Sequence, residues 1–310
     1  MPSINLFFGA LLLGVVGLAQ AEENAAGWFE RMRDAVHGVD YEGRFVYQVG
    51  PQLEAMYVVH RVSGNAEFER LVSLNGAQKQ VIRGDSAVAC LEPGKHRISV
   101  IEGKGGLGLG GSDPHVTRLE RYYDFSLHKG QRVAGRQARL IRVVPRDTLR
   151  FGYEIYVDVD TALPLRTVML NVKGQQQSQM MFVQLKTGPD ITPIEQDVSA
   201  LEMAKPDRIT VPADVSDPLS SGWRFEPVPA GFELRSYRAD SERQHFIFSD
   251  GLATLSLYVE KVGHEEGLKG LSRVGATNAY GATRYAHQVT AVGEVPGKTL
   301  RLMVDAIKPK

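Results

Sequence analysis

The sequence predicts an α+β protein that is mostly β: a large, strongly curved antiparallel sheet packed on helices, then a small β-rich C-terminal domain. Three observations carry this. Apolar residues recur at every second position in run after run, the mark of strands with one buried face. In residues 151–159, Phe151, Tyr153, Ile155, Val157 and Val159 alternate with Gly152, Glu154, Tyr156 and Asp158. The links between runs are short, such as Pro145-Arg146-Asp147 and Asp160-Thr161-Ala162, whereas a parallel crossover needs a dozen or more residues. Helical periodicity occurs at the start and in one insert rather than between each pair of strands, which excludes a doubly wound sheet.

In chain order, residues 25–38 read as a helix, with Trp28, Met32 and Ala35 on one face, Phe29 beside them and Gly38 as the stop. Strands follow. Tyr41, Phe45, Tyr47 and Val49 alternate with polar residues, and Met56, Val58, His60 and Val62 face opposite to Tyr57 and Arg61. Further strands are read at 68–74, 79–83, 87–91 and 97–101, with Asn75-Gly76 as a hairpin signal. Residues 103–113 form a glycine-rich loop. Residues 114–125 read as a short helix, capped by Asp113 with Pro114 at its first position. Runs 137–144, 151–159 and 165–172 make a three-stranded meander, and 178–185 adds one more strand. That gives about ten strands and two helices in residues 22–186, a count that suits one curved antiparallel sheet.

Composition shifts at Lys186. Residues 187–221 contain Pro189, Pro193, Pro206, Pro212 and Pro218 and read as a linker, with Thr192 and Glu195 at capping-box spacing for one helix. Residues 222–310 form the second domain. Strands are expected at 223–227, 232–238, 245–249 and 253–259, with Asp250-Gly251 as a hairpin turn. Runs 283–289, 288–295 and 300–307 supply the remaining strands, with room for a short helix at most around 268–271.

Residues 1–21 read as a signal peptide. The apolar run 6–18 is too short to span a bilayer, and Ala19-Gln20-Ala21 fits a cleavage site. Glu22 after the cut, rather than a cysteine, speaks against a lipid anchor there. The mature chain is expected in a periplasm. Lys plus Arg and Asp plus Glu both number 36, so charge gives no argument for nucleic acid. Cys90 is the single cysteine, which leaves no internal disulfide, so hydrophobic cores must hold the fold.

No catalytic or metal motif emerges. Residues 106–111 fit G-x-G-x-x-G, but the antiparallel surroundings lack the βαβ context that a dinucleotide needs, and a mobile loop is the better reading. The eight histidines are scattered, and His264-Glu265 lacks the second histidine of a zinc-protease helix, with Leu268 in its place. Cys90, in an alternating strand, reads as a buried small hydrophobe. Asp158 and Asp160 belong to turn chemistry. What remains is one concave apolar face. Phe45, Tyr47, Met56, Val58, Phe151, Tyr153 and Ile155 either fill a core or line a cavity for an acyl chain or peptide, with the glycine loop as its lid.

Several stretches together resemble the MucB/RseB family of periplasmic regulators of envelope-stress sigma-factor signalling, and its pseudomonad branch most. In the first domain they are residues 41–47 (YEGRFVY), 60–62 (HRV), 132–136 (RVAGR), 144–147 (VPRD), 150–153 (RFGY) and 163–165 (LPL). In the second they are 229–232 (PAGF), 249–253 (SDGLA), 275–279 (GATNA) and 292–296 (VGEVP). The resemblance implies a large half-open barrel, similar to lipoprotein carriers, joined to a small β-rich domain. It implies a non-enzymatic brake that uses no cofactor. Such a protein binds the periplasmic part of a membrane-spanning anti-sigma factor of the MucA/RseA kind and shields it from proteolysis. A lipid or lipopolysaccharide signal in the large domain releases that shield. The alternative is a periplasmic carrier of lipid or lipoprotein. The number of chains in the assembly stays open, a homodimer being one alternative.

Overall fold

The structure, a computed structural model, describes residues 24–64, 66–84, 87–92, 97–102, 116–194, 207–209, 218–263 and 267–310. The signal segment, the glycine-rich loop, Glu195 of the expected capping box and His264-Glu265 lie outside the described residues.

The first helix, α1 (Ala25–Gly38), starts where Asn24 caps it. The Asn24 side chain accepts a hydrogen bond from the Gly27 amide at 2.8 Å, satisfying one of the free donors of the first turn. Trp28, Phe29, Met32 and Ala35 are its buried face, as their spacing requires. Beyond it the chain runs into a meander of β1 (Tyr41–Val49), β2 (Gln52–Ser63), β3 (Ala66–Ser73), β4 (Gln80–Arg83), β5 (Ala87–Glu92) and β6 (Arg97–Glu102). After the short helix α2 (Val116–Leu119), a second meander follows: β7 (Tyr123–Lys129), β8 (Ala138–Pro145), β9 (Gly152–Asp158), β10 (Pro164–Leu170) and β11 (Gln176–Thr187).

Pairing of β1 with β11, from Tyr41 opposite Thr187 to Val49 opposite Ser178, joins the two meanders into one sheet. A short strand β12 (Asp207–Ile209), inside the stretch read as a linker, adds in parallel to β6. The order is β12-β6-β5-β4-β3-β2-β1-β11-β10-β9-β8-β7, with β12 and β7 at free edges. The sheet is therefore a half-open barrel. Register shifts at Arg44/Phe45, Met169/Leu170 and Pro164/Arg166 sit in its central strands, and such bulges increase local twist and bend. Gly43 precedes the first of them, where a Cβ would meet the Gln184 carbonyl at 2.5 Å and the Phe182 ring at 2.8 Å. The backbones of β1 and β11 approach too closely there for a side chain.

The small domain is a six-stranded sheet. It comprises β14 (Glu233–Ala239), β15 (Arg243–Ser249), β16 (Thr254–Lys261), β17 (Gly270–Val274), β18 (Thr277–Arg284) and β19 (His287–Gly293), in the order β14-β15-β16-β19-β18-β17. Helix α3 (Gly297–Ala306) packs on it, and β13 (Trp223–Phe225) pairs with β20 (Ile307–Pro309) beside it. Phe246, Phe248, Leu255, Leu257, Val289, Leu300 and Met303 form its core.

Five sequence expectations change. The helix expected over 114–125 is described from Val116 and ends at Leu119. Tyr123 and Phe125 instead alternate into β7 and pair with Pro145 and Val143. The strand expected over 300–307 is α3, because Leu300, Met303, Val304 and Ile307 are buried at spacings of three and four. Residues 270–274 are strand, not helix, held by pairing to β18. The overlapping runs at 283–295 separate into β18 and β19 around Tyr285 and Ala286, whose φ of 48° and 60° make a two-residue hairpin turn without glycine. Cys90 is half-buried rather than fully so.

The two sheets meet on a buried ion pair. Arg150, at the head of β9, and Asp250, in the β15–β16 turn, are both fully inaccessible, with Nη1 and Oδ2 2.6 Å apart. The guanidinium also donates to the Ala230 carbonyl at 2.5 Å and to Asp147 at 3.1 Å. Its face lies among the rings of Tyr122, Phe232 and Tyr123, at 4.7, 5.3 and 5.5 Å from their centroids. Tyr123 donates its hydroxyl to Asp250 Oδ2 at 2.9 Å. Burial, and then the Asp250 charge, hold that phenol well above its ordinary range, so it stays a donor. Around the pair, Thr299 donates to the Leu149 carbonyl, Arg118 pairs with Glu233, and Arg273 donates to Gln177.

Removing one member strands a buried charge. Asp250→Ala is expected to cost about 3–5 kcal/mol in urea unfolding, whereas the double change Arg150→Met with Asp250→Leu recovers much of that loss. A single variant within about 1 kcal/mol of the parent contradicts this account of the junction.

Candidate functional site

The concave face of the large sheet is only partly filled. Helix α1 lies against β7 and β8, and there Trp28, Phe29, Met32, Ile141, Val143, Phe151 and Ile155 make a closed core. Beyond the helix the face is open. Strands β1, β2, β3, β10 and β11 leave a cavity of about 760 Å³, within the range that holds a small ligand. Phe45, Tyr47, Met56 and Val58 line it from β1 and β2, and Tyr153 lines it from β9. Leu71, Met169, Met180 and Phe182 complete the apolar wall, and Val36 of α1 forms one margin. Phe45 meets Phe182 edge to face at 5.6 Å, and Tyr41 stacks on His60 at 4.9 Å.

Five of the seven residues singled out in the sequence thus stand on the cavity wall. Phe151 and Ile155 do not: they flank Tyr153 on the same face, but both are buried in the core that contains Trp28, Phe29 and Met32. The small domain supplies the rest of the lining, with Leu252, Ala253 and Thr254 from the β15–β16 turn and Glu294 after β19. Asp250 builds that turn. Its Oδ1 accepts from the amides of Leu252 at 2.9 Å and Ala253 at 2.7 Å, while Oδ2 holds Arg150. One carboxylate therefore both fixes the domain junction and shapes a wall of the cavity.

Of the carboxylates on the lining, Glu69 is the best enclosed. Desolvation is the largest influence and raises its carboxyl above the usual range, with Arg83 at 3.8 Å working against it. His60 is buried behind Tyr41, its Nδ1 2.9 Å from the Val39 carbonyl. Outside the cavity, Thr192 donates amide and hydroxyl to Glu42, which lowers the Glu42 carboxyl. Asp158 is buried, and its Oδ2 takes hydrogen bonds from Arg136 and from the Thr161 hydroxyl at 2.8 and 2.6 Å. No group of three His, Cys, Asp or Glu among the described residues is placed to hold a metal ion.

Met169, Met180 and Phe182 escaped the sequence reading, although Ser178, Met180 and Phe182 alternate along β11 as cleanly as the residues of β9. The contributions of Leu252–Thr254 and Glu294 had no local signal. They reach the cavity only because the two sheets dock.

Comparison with known proteins places this architecture. The family model of the MucB/RseB N-terminal domain matches residues 24–202, and that of the MucB/RseB C-terminal domain matches residues 217–308. The chain belongs to the MucB/RseB family. It is 31% identical to the sigma factor AlgU regulatory protein MucB of Pseudomonas aeruginosa, over 99% of this chain and 97% of that one. It is 28% identical to the sigma-E factor regulatory protein RseB of Haemophilus influenzae, over 99% of each. A solved structure of MucB in complex with MucA(peri) superposes with a TM-score of 0.69 at 30% identity, covering 92% of this chain and 99% of that one.

Five of the fragments that carry the MucB/RseB resemblance lie at the junction or beside it. Arg150 of RFGY meets Asp250 of SDGLA. Ala230 and Phe232 of PAGF bond and face that same Arg150, and a Cβ on Gly231 would lie 2.8 Å from the Tyr122 ring. Ala276 of GATNA joins the large-domain core, and Glu294 of VGEVP lines the cavity.

Glu69 gives a signed pH dependence. With its folded carboxyl above the unfolded value, the folded state binds the extra proton, so this group's cost falls as pH drops from 7 into the carboxylate range. The melting temperature of Glu69→Gln relative to the parent is expected to decline over that interval. A difference independent of pH contradicts the assignment.

Proposed function

We propose that this chain is a periplasmic negative regulator of sigma-factor activity. It binds the periplasmic domain of a membrane-spanning anti-sigma factor, protects that domain from regulated proteolysis, and lets go in response to a lipid or lipopolysaccharide signal. The observation that carries this reading is the likeness of the fold, over 92% of the chain, to MucB in complex with MucA(peri). Family membership over both domains supports it, since a lipid carrier needs the half-barrel alone. The role is one of binding rather than catalysis. The signal peptide is cleaved after Ala21, residues 22–186 form the large domain, 187–221 the connection and 222–310 the small domain. None of the helices among the described residues is long and apolar enough to cross a membrane.

Release requires linkage. A ligand shifts partner binding only by its differential affinity for the two states, and a tenfold weakening takes about 1.4 kcal/mol. A cavity with walls from both domains is a place where that difference can arise, because its occupant touches the half-barrel and the Asp250 turn together. The anti-sigma segment is expected to dock as a short amphipathic element.

Two measurements test the reading. Immobilised anti-sigma periplasmic domain is expected to capture the mature chain at micromolar concentration or below, and absence of capture sinks the proposal. Met180→Trp narrows the cavity and is expected to reduce uptake of a fluorescent acyl probe about tenfold while leaving capture intact.

A further inference from the structure

A row of polar side chains crosses the small domain on the face opposite its core. Antiparallel pairing puts Arg238 of β14 beside His245 of β15, and His245 beside Tyr258 of β16. Their neighbours Tyr237, Phe246 and Leu257 point the other way, into the core. The His245 ring stacks on Tyr258 with centroids 4.3 Å apart, and Arg243 approaches the same tyrosine at 5.9 Å. Arg238 Nε and His245 Nε2 are shut off from water and have no hydrogen-bond partner among the described residues. Such nitrogens are uncommon in a folded protein, because each forgoes a bond that water would supply. Arg238 makes no ion pair among the described residues either. The acids nearby are turned to other uses. Glu260 faces Arg243 at 3.9 Å, and Asp240 holds the Glu242 and Arg243 amides of the β14–β15 turn at 2.9 and 2.8 Å. Glu242 stands exposed at that turn. Burial, then the charges of Arg238 and Arg243, hold the His245 imidazole below its ordinary range, so it is uncharged at neutral pH.

We propose that the Arg238–His245 corner, with Arg243 beside it, is a binding site for one tetrahedral oxyanion of the phosphate or sulfate kind. Directly opposed side chains of an antiparallel pair lie about 5 Å apart at Cβ, so one anion can touch both. A guanidinium and an imidazole on separate strands donate from different directions, which suits the spread oxygens of a tetrahedral group better than a planar carboxylate. Both residues are half-buried, and the imidazole torsion is soft, so a small rotation turns the two nitrogens toward a ligand. The site is separate from the cavity, whose lining contains none of these residues. Binding carries a proton with it. The anion offsets the two arginine charges and favours the imidazolium, so affinity rises as pH falls through the histidine range.

The test follows the His245 resonance of the full mature chain, labelled at its histidines and assigned by the loss of that signal in His245→Asn. Sulfate is the probe, because its double charge does not change in the histidine range, and sodium chloride keeps the ionic strength constant. Sulfate is expected to raise the His245 midpoint by about one unit, which corresponds to about tenfold tighter binding by the protonated form. Arg238→Met is expected to abolish that rise and Arg238→Lys to keep part of it, with the other histidine resonances unmoved in both variants. Acetate at equal ionic strength is expected to raise the midpoint far less. Phosphatidylcholine vesicles carrying phosphatidic acid separate the two sources of such a group. A rise with vesicles as well as sulfate supports a site open to a lipid headgroup, and a rise with sulfate alone supports a site for the free ion. No rise with sulfate, an equal rise with acetate, or a rise that survives Arg238→Met overturns the proposal.

Discussion

The Arg150–Asp250 pair is the constraint on which the molecule turns. Placing a full guanidinium and a full carboxylate out of water is costly, and only close contact with further hydrogen bonds offsets the cost. Here much of that compensation crosses between the domains: the Ala230 carbonyl and the Phe232 ring on Arg150, and the Tyr123 hydroxyl on Asp250. The pair is also directional. A greasy interface tolerates sliding, whereas a 2.6 Å contact with neighbours on both sides admits one arrangement. Because Asp250 also shapes the turn carrying Leu252–Thr254, the cavity inherits its dimensions from this contact.

The cavity follows from a mismatch of sizes. A helix of 14 residues is roughly 21 Å long and cannot cover the concave face of a twelve-stranded sheet. Where α1 lies, the sheet has an ordinary filled core. Where it does not, Phe45, Tyr47, Met56, Leu71 and Met180 stay half-exposed, each retaining apolar contact with water that a ligand would remove. The unfilled wall is thus not a packing defect but the share of the sheet that one helix leaves over.

Much of this was legible in the sequence because its cause is local. The period-two runs of β1, β2, β8, β9 and β10 state which face is buried, and the Trp28–Met32 stripe states the same for α1. Tyr47 and Met56 reached the cavity on that pattern alone. The failures have causes too. Tyr123 and Phe125 sit where a helical start signal and a strand overlap, and pairing with β8 decides between them. Leu300, Met303 and Val304 fit helical spacing, but Leu300, Leu302, Val304 and Ala306 also alternate, so the run suits a strand as well. Phe151 and Ile155 differ from Tyr153 by what lies above them, which no strand records about itself. Arg150 and Asp250 read as a family mark and a hairpin turn, since nothing local announces a partner 100 positions away.

Strand β12 has a consequence for motion. It fastens the connecting chain to the outermost strand of the large sheet, far in strand order from β9 and Arg150. From Ile209 the covalent path to Pro218 spans at most roughly 30 Å. The covalent tether and the ion-pair clasp are therefore separate parts. If the clasp opens, the small domain swings on a short leash, and its local concentration near Arg150 stays in the millimolar range. Reclosure is then a first-order event, independent of how much protein the compartment contains. Such a molecule can let go of a partner and reset itself without ever searching for its other half.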